Sequence, residues 1–222
     1  MIIGIDMGHT LNGLGTGVVG VVKETDKNRE VGKRLFSILQ EKGHTVINCT
    51  VDKSNNELKD RVALANKQKL DLFVSLHLNA YNGHAYGVET YVYSKNSSAY
   101  PYAQRIQNTL VKQIGWANRG VKTNKNLYVL KNTIAPALLV ELGFCDNVSD
   151  MAKWNTEKIA RALFYGITGK QYTGPVPTPT ENIYRVYAEG KQIGAYGKVD
   201  NILNVAKEQL NKGTKEIIIR KV

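Results

Sequence analysis

Two apolar runs constrain the fold of this chain more than any other feature. Asp71–Asn79 (DLFVSLHLN) and Ala137–Leu142 (ALLVEL) are nearly continuous in Leu, Val and Phe. A strand of that kind has to be covered on both faces. Helices must then alternate with strands, and the sequence supplies them. Asp26–Lys42 carries Val31, Leu35, Ile38 and Leu39 at helical spacing, with Gly43 at its end. Asn56–Gln68 reads as a helix with Asn55 or Asn56 as cap. Ala99–Ile114 repeats Ile106, Leu110, Val111 and Ile114 on one face, and Thr156–Ile167 forms a closing helix. Met1–Asp6, Thr45–Val51 and Val88–Tyr93 read as further strands. The expectation is an α/β domain with a mostly parallel, twisted sheet covered by helices on both faces.

Three of the five prolines fall in Gly174–Thr180 (GPVPTPT), which favours extended polyproline geometry without a core. The chain therefore divides into a domain over 1–170, a semi-rigid linker over 171–181 and a tail over 182–222. The tail reads strand, turn, strand, helix, strand: Ile183–Ala188, Lys191–Tyr196, Val199–Leu210 and Ile217–Lys221, with Glu189-Gly190 as a hairpin turn. A small α+β unit of about 40 residues is near the lower limit for independent folding. We expect it to bury its apolar face against a second copy, giving a homodimer, or against the large domain. Ile217-Ile218-Ile219 is a sticky edge if uncovered.

The 222 residues are 42% hydrophobic and 22% charged, which excludes a wholly disordered chain. No apolar run approaches the roughly 20 residues of a membrane-spanning helix. The start, Met1–Asp6, lacks the basic region, apolar core and cleavage site of a signal peptide, so synthesis in the cytoplasm is expected. Cys49 and Cys145 are too few for a disulfide framework and are read as free thiols.

Open α/β sheets bind ligands at the carboxyl ends of their strands. His9 follows the first strand, His77 ends the run at Asn79, and Glu141 ends Ala137–Val140; Glu24 follows a Gly-rich loop and opens the first helix at the same rim. Two imidazoles and a carboxylate with an open fourth position make a catalytic zinc site. Zinc acidifies water, and a second carboxylate must carry its proton to the leaving nitrogen. Glu24 and Glu141 can fill the two carboxylate roles. Taken singly, each residue has a plainer reading. A histidine after a strand is commonly structural, and Glu24 suits a helix start electrostatically. Glu141, set among Leu138, Leu139, Val140 and Leu142, needs a partner or a function; Arg61 and Arg119 are the candidate partners. His44 and His84 are read as bystanders.

The sequence also resembles a known family. Asp6-Met7-Gly8-His9, Glu24, Ser75-Leu76-His77-Leu78-Asn79, and Pro136–Phe144 followed by Asn147 and Asp150 look like the zinc-dependent N-acetylmuramoyl-L-alanine amidases of type 3. That domain is shared by bacterial autolysins and phage endolysins. Arg61–Asn66 leading into Asp71-Leu72-Phe73 also matches, as does Arg119-Gly120-Val121 with Leu127–Leu130. The likeness runs over about residues 1–169. It implies one zinc ion held by His9, Glu24 and His77, with Glu141 as general base and acid. It also implies cleavage of the amide between N-acetylmuramic acid and L-alanine. Met7 and Leu78 depart from the family's usual small or Pro residues, which touches packing around the ligands. Asn79, or a backbone N–H near Gly143, is the candidate oxyanion or substrate contact. The tail is similar to half of a sporulation-related repeat, and a wall-binding or dimerisation role is expected of it. Action on the wall after a membrane breach would follow, in phage lysis first and mother-cell lysis second.

Three other readings compete. Gly15–Gly20 (GTGVVG) fits a dinucleotide-binding pattern but neither follows its strand directly nor opens a helix. The formal charge of +11 attracts polyanions, with teichoic acids the favoured candidate and nucleic acid disfavoured for want of a binding motif. From Glu181 onward the chain holds eight basic and five acidic residues, so most of the excess sits on the large domain. A zinc peptidase acting on the stem peptide would use the same metal and base.

Overall fold

The computed structural model describes residues 1–175, 184–196 and 199–221, which form two units, Met1–Thr173 and Gly174–Val222. The first is built around a six-stranded sheet in the order β2-β1-β3-β6-β4-β5. Its strands are β1 (Ile2–Met7), β2 (Thr45–Asn48), β3 (Leu72–Asn79), β4 (Val88–Val92), β5 (Asn118–Thr123) and β6 (Ala137–Phe144). Neighbours are parallel except β4 and β6, which run antiparallel. The helices are α1 (Glu24–Glu41), α2 (Glu57–Asn66), α3 (Tyr100–Ile114), α4 (Tyr128–Asn132), α5 (Val148–Ala152) and α6 (Thr156–Thr168).

Side chains alternate across the sheet with period two, and the two faces carry different chemistry. One face sends Ile3, Ile5, Leu72, Val74, Leu76, Leu138 and Val140 into a large core with α1, α3 and α6. The opposite face sends Phe73, Ala137 and Leu139 into a smaller cluster with Val62 and Ala65 of α2 and Val129 and Leu130 of α4. Further along the strands that second face turns polar, and there it carries Asp6, Ser75, His77 and Glu141.

Several boundaries differ from the sequence reading. The second strand ends at Asn48, not Val51, because the Asn48 Oδ1 accepts the Thr50 N–H at 3.0 Å and turns the chain. The first helix begins at Glu24, as expected of that residue, and so two residues ahead of the apolar repeat read over Asp26–Lys42. Asn56 occupies the cap position of α2, yet its side chain makes no capping bond. The strand β5 and the five-residue helices α4 and α5 were not read from the sequence. Tyr172, within the stretch assigned to the linker, is buried on the first unit. Its hydroxyl donates to Glu41, and Arg161 lies 4.8 Å over its ring.

The second unit is a three-stranded antiparallel sheet, order β8-β7-β9, with one helix: β7 (Tyr184–Ala188), β8 (Lys191–Tyr196), α7 (Val199–Asn211) and β9 (Ile217–Lys221). Glu189 and Gly190 both take positive φ, 47° and 76°, as a tight hairpin turn requires. Residues 176–183, which include most of the expected linker, lie outside the described residues. No helix among the described residues is long and apolar enough to cross a membrane.

Candidate metal centre

The polar end of the second face is assembled on a buried ion pair. Asp6, wholly buried on β1, accepts from Arg61 of α2 and from the Ser75 Oγ of β3 at 2.7 Å. Arg61 is also buried, and its Nη2 donates to the Val51 carbonyl at 3.0 Å. This ties α2 to β1 and β3 directly beneath the rim.

His9 follows in a backbone conformation that a non-glycine residue rarely adopts, with φ of 65°. Arg29 of α1 holds it there, its Nη1 donating to the Gly8 carbonyl at 2.8 Å and its Nη2 to the His9 carbonyl at 2.7 Å. Gly8 is required, since a Cβ at that position would fall 2.3 Å from the His77 ring. The His9 Nδ1–H donates to the Gly15 carbonyl at 3.0 Å, which fixes the ring and turns Nε2 inward.

His9, Glu24 and His77 meet here, with one donor atom from each lying within 4.8 Å of the others. The Glu24 Oε1 is 3.0 Å from His9 Nε2 and 3.3 Å from His77 Nδ1. Glu24 is itself pinned, Oε1 accepting the Leu78 N–H at 3.0 Å and Oε2 the Val18 N–H at 3.2 Å. Burial opposes its charge, but His77 and His9 outweigh burial and hold its pKa far below the carboxylate range. Burial would likewise lower the His9 pKa; Glu24 and the Gly15 carbonyl raise it instead. A buried carboxylate facing two imidazole nitrogens is a donor set suited to a divalent metal ion. A cleft of about 260 Å³ opens beside it, walled by Leu58, Leu127, Tyr128 and Leu139.

Glu141 lies beside His77 in the parallel register of β3 and β6. Its Oε2 is buried and has no hydrogen-bond partner. Burial first, then the charges of Glu24 and Glu89, push its pKa up to about 8. Neither candidate partner reaches it, because Arg61 is taken by Asp6 and Arg119 by Glu89. A carboxylate left unsatisfied in this setting is costly, which marks Glu141 as a candidate functional residue.

Asn79, the candidate oxyanion contact, is turned aside; its Nδ2 donates to the Glu89 Oε1 at 2.8 Å. Gly143 takes a φ of 80°, and the following Phe144 N–H is spent on Asp150 Oδ2 at 2.9 Å. His44 packs against Phe164, and His84 sits in a loop; neither joins the cluster. Cys49 and Cys145 are buried and free, their thiols pushed up to about 12 and about 11, in both cases chiefly by burial. The Gly15–Gly20 loop does not open a helix; it folds back over the site. A Cβ at Gly17 would lie 3.0 Å from both Glu24 Oε2 and the His9 ring. The sequence reading missed Glu89, although a lone acid between Val88 and Thr90-Tyr91-Val92 is the same signal that marked Glu141.

A family described as N-acetylmuramoyl-L-alanine amidase matches residues 3–169. The chain is 30% identical over 223 residues to the sporulation-specific N-acetylmuramoyl-L-alanine amidase of Bacillus subtilis, covering 98% of this chain and 81% of that protein. It is 35% identical over 181 residues to the endolysin of Bacillus phage SPP1, covering 73% of this chain and 66% of that one. Among solved structures, the catalytic domain of the CD27L endolysin, which targets Clostridium difficile, superposes with a TM-score of 0.71 at 33% identity. That match covers 77% of this chain and 98% of that domain. The chain spans less than half the length of several curated relatives it matches, at 46%, 45% and 24%. The match over residues 3–169 takes in His9, Glu24, His77 and Glu141, and the chain belongs to the N-acetylmuramoyl-L-alanine amidase family.

Proposed function

We propose that this protein is a peptidoglycan hydrolase that cuts the amide between N-acetylmuramic acid and the L-alanine of the stem peptide. The observation that carries the proposal is the convergence of His9, Glu24 and His77 beside the unpartnered Oε2 of Glu141. His9 Nε2, His77 Nδ1 and Glu24 Oε1 would hold one zinc ion. Zinc there supplies Lewis acidity, acidifying water and polarising a carbonyl oxygen.

The remaining work falls to the chain. Glu141 takes the proton of the attacking water on Oε2 and delivers it to the departing L-alanine nitrogen. Burial and the Glu24 and Glu89 charges raise its pKa in the metal-free site, and a cation held by Glu24 and His77 would draw it back down toward a carboxylate that can accept a proton. The Gly15 carbonyl and the Arg29 guanidinium keep His9 oriented between turnovers. The cleft beside His77 takes an apolar part of the substrate against Leu127 and Leu139.

An endolysin-type lytic role fits the likeness to the phage protein. Mother-cell lysis is the second reading, favoured by an alignment to the sporulation-specific amidase that covers 98% of this chain and so reaches the tail. The tail over 182–222 is proposed to target the wall, with teichoic acids a candidate ligand, or to pair two copies. Mass spectrometry of digested sacculi, paired with a zinc determination, tests the reaction. New L-alanine amino termini on intact glycan, with one zinc per chain, are expected. Split cross-bridges or freed D-amino acids would point to a zinc peptidase, and unchanged sacculi to a binding protein.

A further inference from the structure

One row of charged side chains crosses the sheet from the candidate metal centre to its far edge. His77 on β3 pairs with Glu141 on β6, and Glu141 pairs with Glu89 on β4. Between β4 and β5, Val88 pairs with Asn118 and Thr90 with Val121, so Glu89 faces two residues, Arg119 and Gly120. This is a bulge, accommodated by Gly120 at φ of 84°, and bulges re-aim neighbouring side chains.

Arg119 Nε and Lys122 Nζ both donate to the Glu89 Oε2, at 2.7 and 2.5 Å. Asn79 Nδ2 and the Tyr91 hydroxyl hold Oε1, at 2.8 and 2.7 Å. The Glu89 side chain is 3% exposed, whereas those of Arg119 and Lys122 are 36% and 39% exposed. One cation would neutralise the buried carboxylate. Two are present, anchored and open to solvent, so the cluster carries a surplus positive charge beside Glu141. Arg119 Nη2 has no partner among the described residues, and Arg119 stacks 5.0 Å over the Phe144 ring, which holds its plane.

We propose that Arg119 and Lys122, locked onto Glu89, form an anion subsite that seats the free carboxylate on the second residue of the stem peptide. The inference rests on the muramoyl-amide reading above. Adjacent strands lie about 4.8 Å apart, so the cations stand between one and two spacings, about 5–10 Å, from Glu141. An extended peptide advances about 3.5 Å per residue, which brings the second residue to that distance from the scissile bond. With Nε on Glu89 and Nη1 on the Tyr86 carbonyl at 3.4 Å, Nη2 of Arg119 is left to donate to a carboxylate, and the Lys122 ammonium keeps N–H donors beyond the one spent on Glu89.

The test uses the full zinc-loaded chain and two substrates, muramyl-L-alanyl-D-isoglutamate and muramyl-L-alanyl-D-isoglutamine. They differ only in carboxylate against carboxamide. We expect wild type to favour the acid about tenfold in kcat/KM, mainly through KM, the effect of one charge-assisted hydrogen bond. In Arg119→Ala the ratio should fall toward one, and Arg119→Lys should restore part of it. Should Arg119→Ala lose its cooperative thermal transition, Lys122→Met carries the same comparison with Arg119 still paired to Glu89. Equal turnover of both substrates by wild type, or a full preference retained in the folded variants, overturns the subsite and leaves the hydrolase reading intact. Failure to cut either substrate overturns both.

Discussion

Replacing Glu141 by Gln should make the metal-free protein more stable and the zinc-loaded protein nearly inactive. In an unfolded chain a glutamate titrates near 4.3. In the fold, burial and the Glu24 and Glu89 charges push Glu141 up to about 8. Between those two values the folded protein holds a proton that the unfolded chain has released. Rising pH therefore favours unfolding across that window, by about 1.4 kcal/mol per unit for this one group. The cost reaches about 4 kcal/mol at pH 7.5 and levels off above pH 8. Glutamine keeps the shape and carries no charge, so the slope vanishes. Glu24 and Glu89 titrate in both proteins and drop out of the difference. Urea unfolding of chelator-treated wild type and Glu141→Gln at pH 5, 6.5 and 7.5 reads the effect directly. The variant's advantage should grow from about 1 to about 4 kcal/mol over that range. With zinc restored, its turnover should drop by about 10²–10⁴ while metal content holds. A stability gap that stays constant with pH, or near-wild-type turnover, would refute the assignment of the buried proton to Glu141.

Other perturbations probe the supports. His77→Ala should lose stoichiometric zinc and activity together while the far-ultraviolet circular dichroism is retained; zinc bound at full stoichiometry would count against the triad. Arg61→Ala strands the buried Asp6 carboxylate with only Ser75, and should cost about 3–5 kcal/mol in urea unfolding. Gly8→Ala pushes a methyl group into the His77 ring, so zinc affinity should fall about tenfold or more with the fold intact, read by competition against a chromophoric chelator.

How much of this was legible depends on where the signal lies. The long helices announced themselves by apolar spacing, as in Val31, Leu35, Ile38 and Leu39, all buried in the larger core. His9, His77 and Glu141 stood out because polar residues end apolar strands, and Glu24 because it opens a helix at the same rim. The strand β5 was illegible because Asn118–Thr123 is an edge strand, largely exposed, with neither an apolar run nor alternation. The helices α4 and α5 are five residues each, too short to show a helical period. Asn79 looked free to meet a substrate, and only the Glu89 carboxylate across the sheet shows why its amide is engaged.

The sequence alone determined the α/β class and which residue types could gather at the strand ends, because burial and periodicity act over short stretches of chain. The tertiary structure decided who stands beside whom. Strand order and register set His77, Glu141, Glu89 and Arg119 in one row, although they are scattered from residue 77 to residue 141 and out of order along the chain. Hydrogen-bonded ladders between distant segments carry no local signature, so the strand neighbours of Glu141 and the ion pair of Arg119 exist only once the sheet has closed.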